Sequence, residues 1–424
     1  MKQLQSIAAA ACVAAGLSLL VSCCSPTESS ARARAESTLL VMSWNVLSLF
    51  DAVDDGTEYS EYSIERGSWS EARYRARLEA LAGVILRARE AGMPGQPAQP
   101  GPPGPDILCL VEVEKKSILD DLAKGPLSKC GYRYSAYAKA PGAAIGLGLL
   151  ARLPIENARA WGLDLGTGRE RPILEARFSQ SGFPFAILVN HWKSKLEGAE
   201  QTEGSRIESA RLLARIAAEA AAATPGLAVI ACGDFNESPD EHARVGGRYP
   251  TAFMPARAAD AAPGSIALAG RASLAAGGAL AGRGAMAGGG AMAGGGAMAG
   301  GGAMAGGGAM AGGGAMAGGG APAGEAPQEG AMKEPIESFV AFSPWDDSKG
   351  YSYMHRGLRE RIDGFILSPG LLDGRGLDYR GFGVLSEGLV DDKGAPIAWS
   401  NAKASGWSDH LPIVLEVIAR GTGE

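Results

Sequence analysis

The chain has 424 residues, of which 62 are glycine and only 6% aromatic, an imbalance that excludes a uniformly globular chain. Its 40 lysines and arginines against 46 aspartates and glutamates leave a net charge of −6. That excludes the basic excess of a nucleic-acid coat protein, so any grip on phosphates is local. The cysteines Cys12, Cys23, Cys24, Cys109, Cys130 and Cys232 form neither a disulfide framework nor a CxxC zinc pattern. Cys109 and Cys232 sit inside apolar runs and read as small buried thiols.

In chain order, residues 1–22 read as a signal peptide: Lys2, an apolar run from Ile7 to Val21, then Ser22. The run is about 15 residues, short for a membrane span and suited to a signal core. Leu20-Val21-Ser22-Cys23 resembles a bacterial lipobox, which implies lipidation at Cys23; the alternative is an ordinary cleaved signal. Residues 23–37 then form a lipidated tether of small polar residues. The expectation is an exported lipoprotein on a bacterial membrane, at the periplasmic face or the cell surface.

The run LLVMSWNV after Thr38 predicts a buried strand. Tyr74, Leu78, Leu81, Val84 and Ile85 recur at helical spacing and predict an amphipathic helix from Ser70 to Arg89 with an arginine-rich outer face. Gly92 to Pro105 reads as a Pro/Gly loop. Strands follow around ILCLVEVE, GLGLLARL, ILEARF and FAILVNHW, then a helix from about Ser205 to Ala222 and a strand LAVIACGDF. Mixed strands and helices in this order predict a layered α/β domain, its first part spanning 38–253.

Residues 254–337 contain no Phe, Tyr or Trp, and the hexad GAMAGG keeps Met286, Met292, Met298, Met304, Met310 and Met316 in phase. One methionine per glycine-rich hexad buries too little to offset backbone entropy, so this stretch reads as a disordered insertion. A stacked solenoid, or a methionine-based metal or adhesive patch, is the alternative. The second part of the domain, 338–420, resumes with FVAFSPW, YSYMHRG, RIDGFILS and HLPIVLEVI.

Polar residues interrupt the apolar strands at Asn45, Glu112, Asn190, His191, Asp234, Asn236, Asp363, Asp409 and His410. Singly, each reads as a cap or a turn. Together they place ionisable groups at strand edges, where burial demands partners or a metal. The inventory suits attack of water on a phosphate ester. Glu112 and Asp409 are hard oxygen ligands fit for Mg²⁺ or Mn²⁺, with Ca²⁺ a further option. His191 and His410 are candidates for proton transfer, with Asp363 to orient one of them; His242 and His355 lie in polar loop sequence.

WNV (44–46), LVEVE (110–114), NHWKSK (190–195), GDFN (233–236), RIDGFILS (361–368) and SDHLP (408–412) occur in the order of the endonuclease/exonuclease/phosphatase superfamily, which the chain resembles from Leu40 to about Val417. With Arg206 and YSY, the set is most similar to bacterial extracellular nucleases. The resemblance implies a deoxyribonuclease I-like four-layer α/β sandwich, two central sheets flanked by helices. It implies that Glu112 is the main metal ligand, with Asn45 and Asp409 completing or supporting the site. Asp234 and Asn236 would position water and phosphate oxygens, and Asp363 would orient His410, with His191 opposite it. Asn190, Lys193, Lys195 and Arg171 would contact substrate phosphates.

The sequence departs from relatives at Val111, where many carry glutamine, and at Leu47, where some carry an acid. The activity implied is hydrolysis of phosphodiester bonds, with nucleic acid as substrate. Lipid or sugar-phosphate head groups are the alternative, because a fold does not fix a substrate. A surface-binding lipoprotein with an inactive site is the alternative of another class. Expected partners are nucleic acid and a membrane, through the anchor at Cys23; no obligate protein partner is expected, and the chain reads as a monomer.

Overall fold

The computed structural model describes residues 37–91, 100–162, 171–256, 265–275 and 339–420. The signal peptide, Cys23, the tether, most of the Pro/Gly loop and the GAMAGG repeats lie outside the described residues. In chain order the elements are β1 (Ser37–Leu49), α1 (Glu71–Ala91), β2 (Ile107–Val113), α2 (Lys116–Lys124), β3 (Tyr134–Ala138), β4 (Gly146–Ala151), β5 (Asn157–Trp161), β6 (Ile173–Gln180) and β7 (Phe183–His191). Then come α3 (Glu203–Ala223), β8 (Ala228–Asp234), α4 (Glu241–Arg244), β9 (Phe253–Pro255), β10 (Ile266–Leu268) and α5 (Arg271–Ala275). The chain closes with β11 (Val340–Ala341), β12 (Tyr353–His355), β13 (Leu358–Glu360), β14 (Asp363–Leu367), β15 (Leu377–Val384) and β16 (Ile413–Ala419).

Two sheets form the centre, one in the order β15-β16-β1-β2-β4-β3 and the other β14-β8-β7-β6-β5. Strand alternation builds the layers. Along β1, Leu39 and Val41 face the second sheet and meet Ile187, Val189 and Ile230 in the inter-sheet core. Leu40, Met42 and Trp44 point the other way, into a core with Leu78, Leu81 and Ile85 of α1 and Leu119 of α2. Behind the second sheet, Leu213, Ile216 and Ala217 of the alanine-rich α3 pack on Leu188 and Val229. Each fully buried aliphatic side chain contributes roughly 1.5–3 kcal/mol, so both sheets are fixed from both sides. The result is a four-layer α/β sandwich, as the sequence implied.

Two expectations are revised. The outer face of α1 is not where all of its arginines lie: Arg77 and Arg89 are buried. Arg77 stands three residues after Tyr74 and four before Leu81, hence on the apolar face, and donates to the carbonyls of Val46 and Trp407. Structure also extends into the stretch assigned to the insertion. β9, β10 and β11 form a parallel three-stranded sheet, with Met254, Ile266 and Ala267 buried. Among the described residues, no helix is long and apolar enough to cross a membrane.

Candidate active site

β1 runs parallel to β2, and β7 parallel to β8. Their C-terminal ends therefore carry Asn45, Glu112, His191 and Asp234 to one rim of the sandwich. β14 is antiparallel to β8, and β16 antiparallel to β1, so Asp363 at the start of one and the 408–410 turn before the other arrive at the same rim. His191, Asp234 and Asp363 are successive register partners across β7, β8 and β14.

At the end of β2 the ladder is deformed. Asn45 pairs with Val111 and Leu49 with Val113, so three residues of β1 oppose Glu112 alone. Val111 and Val113 in turn face the adjacent Leu147 and Gly146, making Glu112 the extra residue against β4. Leu47, Ser48 and Glu112 all adopt left-handed φ, at 55°, 54° and 70°. Such strain, on the order of 1–3 kcal/mol per residue, persists only where surrounding contacts over-determine it. Here Arg77 holds the Val46 carbonyl, while the Ser48 N–H and hydroxyl donate to Glu112 Oε2 at 2.9 and 3.0 Å. The bulge leaves Glu112 partly exposed in an otherwise buried strand.

Asn45 ties the two sheets together. Its Nδ2 donates to Glu112 Oε1 at 3.2 Å and to Asp234 Oδ2 at 3.0 Å. Its Oδ1 accepts the Leu47 N–H at 3.0 Å, so Asn45 holds both carboxylates while anchored to the bulge. His191 Nε2 lies 3.7 Å from both Glu112 Oε1 and Asp234 Oδ2. His410 Nδ1 is 2.7 Å from Asp363 Oδ2, and its Nε2 lies 4.0 Å from Asp234 Oδ2 and 3.9 Å from Asp409 Oδ1. The ring is fixed by stacking on Tyr353, centroids 4.6 Å apart. Gly233, at φ 131°, permits this crowding: a Cβ there would stand 2.0 Å from the Asn190 carbonyl oxygen.

The two histidines are driven apart electrostatically. Burial, then the charges of Arg171 and His410, hold His191 well below its usual value. Burial also opposes charge on His410, but Asp363, by charge and hydrogen bond, and then Asp234 and Asp409 outweigh it and hold that imidazole well above the usual value. Burial and the neighbouring Asp363 push Asp234 up to about 7, against the opposing pull of His410, the Asn236 N–H and Asn45. Oppositely tuned groups in one site are the arrangement from which acid and base roles are built.

The donor set fits a small hard cation. Asp234, Asp363 and His410 place ligand-type atoms within 4.8 Å of one another, but His410 and Asp363 are already bonded together. The carboxylates open to a metal are Glu112 and Asp409, whose side chains are 17% and 37% exposed. Burial, and after it the Asp363 charge, disfavour the ionised form of Asp234; a cation nearby would favour it.

Other expected site residues fare differently. Asn190 is corrected: it is fully buried, donates to the Leu188 carbonyl at 2.7 Å and to the Cys232 carbonyl of β8 at 3.4 Å, and accepts from Trp192 Nε1 at 3.1 Å, so its amide is engaged within the sheet and is not presented to a substrate phosphate. Lys193 pairs with Glu197 at 2.9 Å, and Lys195 with Glu241 at 2.8 Å; both ammonium groups are engaged by carboxylates outside the cluster. Arg171 lines the same cleft as His191 and donates to the Trp192 carbonyl at 2.7 Å. Asn236, left-handed at φ 51°, donates its N–H to Asp234 Oδ1 at 2.9 Å and its amide to the Trp192 carbonyl at 3.0 Å, and so steadies Asp234.

Sequence reading missed the groups that hold these residues in place. Ser408 Oγ donates to the Asn45 carbonyl at 2.7 Å and accepts the His410 N–H at 3.1 Å. Trp44 Nε1 donates to the His410 carbonyl at 2.9 Å, and Trp345 Nε1 to that of Asp363 at 2.9 Å. Ser408 and Trp44 stand inside the SDHLP and WNV motifs, which was the available signal.

A four-layer α/β sandwich with carboxylates and imidazoles gathered at the strand ends defines the class. Within it, residues 40–247 match a family model described as Endonuclease/Exonuclease/phosphatase family. No curated protein matches the chain. Among solved structures it is similar to TDP2 from C. elegans (13% identity, 90% of this chain and 75% of that one, TM-score 0.46). It is also similar to D. rerio TDP2 complexed with single strand DNA product (14%, 90% and 99%, 0.46). A third is an endonuclease/exonuclease/phosphatase family protein from Bacteroides thetaiotaomicron (14%, 90% and 98%, 0.44).

Proposed function

We propose that the chain is an exported, membrane-anchored, divalent-metal-dependent phosphodiesterase of the endonuclease/exonuclease/phosphatase family that hydrolyses DNA or RNA. The observation that carries this reading is the convergence of Asn45, Glu112, His191, Asp234, Asp363 and His410 on one rim, linked by the hydrogen bonds given above. A metal ion, Mg²⁺ or Mn²⁺, held by Glu112 with Asp409 would neutralise charge on the phosphate and its leaving oxygen. The protein's own groups do the rest. Asp234, fixed by Asn45 and the Asn236 N–H, orients the attacking water and draws its proton. His410, kept cationic by Asp363, donates from Nε2 to a phosphate oxygen as negative charge gathers there. His191, kept neutral, stands on the opposite side as a hydrogen-bond partner for another phosphate oxygen.

Hydrolysis of a lipid or sugar-phosphate head group is the second reading. It draws support from the pairing of Lys193 and Lys195 with carboxylates, which weakens the cationic grip expected of a nuclease. Salt separates the two, since nucleic-acid binding weakens steeply with ionic strength and head-group binding does not. Export and anchoring rest on residues 1–22 and the lipobox at Cys23. A Cys23→Ser protein should move from the membrane to the soluble fraction of the cell; retention on the membrane would refute lipid anchoring.

A further inference from the structure

Beside His191 a cleft of about 220 Å³ opens between Tyr59, Arg171, Pro172 and the small residues of segment 140–147, among them Ala144 and Ile145. It is continuous with the candidate active site, because His191 and Arg171 line it. Among the described residues, Arg171 is the charged side chain in its wall. The volume falls below the roughly 300–1,000 Å³ typical of sites for drug-sized molecules, so it suits one planar ring system and excludes a duplex.

Tyr59 gives the cleft its chemistry. The ring is 39% exposed yet anchored edge-on against Phe50, centroids 5.3 Å apart. Phe50 stacks on Tyr62 at 4.8 Å, and Tyr62 meets Trp69 at 5.1 Å. An aromatic face held open by three buried rings is a preorganised stacking platform. The same cleft is lined by the Arg171 guanidinium, suited to a phosphate, and by His191 of the candidate active site. Bases stacked inside a duplex are not free to enter such a cleft, whereas those of a single strand are.

We propose that this cleft is a nucleobase subsite, in which the base adjoining the scissile phosphate stacks on Tyr59 while Arg171 holds the neighbouring phosphate, making single-stranded nucleic acid the substrate. The assignment rests on the phosphodiesterase reading above.

The test compares, with Mg²⁺, a single-stranded oligonucleotide, the same strand with tetrahydrofuran abasic residues, and the duplex. The intact single strand should be cleaved with a kcat/KM roughly ten- to a hundredfold above the abasic strand and above the duplex, with most of the difference in KM. Tyr59→Ala should remove that advantage without slowing cleavage of the abasic strand, and Tyr59→Phe should restore it. Titration of a dinucleotide without metal should show the same contrast in Kd between wild type and Tyr59→Ala. Equal rates on intact and abasic strands, a preference for duplex, or an equal loss on both strands in Tyr59→Ala would overturn the subsite while leaving the phosphodiesterase standing. Failure to cleave any of the three, with release of phosphate from lipid or sugar phosphates, would overturn both.

Discussion

Strict alternation along β2 would send Glu112 into the core that holds Leu108 and Leu110; the bulge turns it to the rim instead, and Val113 takes that face. The Glu112 carboxylate is gripped by Ser48 and bridged to Asp234 through Asn45, so the proposed metal ligand also takes part in the contact between sheets. Glu112→Gln keeps the shape and removes the charge. It should lower kcat by about 10²–10⁴-fold, a range like that of other charge-stabilising groups, while circular dichroism and Tm stay near wild type; unchanged turnover would show that Glu112 is not the metal ligand. Asn190 should behave in the opposite way. With its amide bonded inside the sheet, Asn190→Ala leaves the Trp192 indole Nε1–H without its acceptor and should destabilise by about 1–3 kcal/mol. Chemical denaturation would read that loss, and KM for substrate should not move; a change confined to KM would return Asn190 to the phosphate-binding group.

At the scale of elements, the loop after β7, the start of α3 and the segment after β8 are joined by a buried ion network. Arg206 donates to Glu237 at 3.0 Å, to Glu203 at 2.5 Å and to the Lys193 carbonyl at 3.2 Å. Glu203 and Glu237 in turn accept the N–H groups of Ala252 and Phe253 at 2.8 and 3.0 Å. Burial and then Glu203 hold Glu237 well above the ordinary range, more than Arg206 offsets. The folded state therefore binds a proton that the unfolded state has released once pH passes about 4.3. Stability from this group is fullest below that pH and declines as pH rises toward the folded value. In Glu237→Gln the fall of Tm between about pH 4.5 and neutrality should be shallower than in wild type; an identical slope would mean that Glu237 is ionised throughout.

Much of this architecture was legible because strands buried on both faces read as unbroken apolar runs, and a polar residue ending such a run marks a rim. His191, Asp234 and Asp363 stand at strand ends for that reason, and Asn45 at the bulge of β1. The bulge was not legible: Leu47, Ser48 and Glu112 take left-handed φ without glycine, so no residue type announced it. Arg77 misled because its charge suggested solvent, while its partners are the Val46 carbonyl at that bulge and the Trp407 carbonyl. Asn190 misled because it shares a motif with His191 although alternation turns its side chain from the rim into the sheet contact.

The whole molecule joins a rigid sandwich to sequence of a different kind. The small sheet of β9, β10 and β11 brings the two flanks of the glycine-rich stretch together on the core beside α3. We propose that residues 284–320 form a passive insertion, and that deleting them leaves kcat/KM within a few-fold of wild type and Tm unchanged. A large loss of turnover would assign the repeats a part in the reaction. The site itself depends on strands from both central sheets, so hydrolysis belongs to the assembled sandwich.

The central claim is that the carboxylate and imidazole cluster hydrolyses phosphodiesters with a metal's help. The direct measurement is cleavage of DNA and RNA by protein lacking residues 1–24, with Mg²⁺ and with chelator, beside its Asp234→Ala and His410→Ala forms and a panel of lipid and sugar phosphates. Cleavage of nucleic acid that needs the metal and disappears in both variants is the result expected; intact nucleic acid with metal present, or cleavage that survives both substitutions, would contradict it.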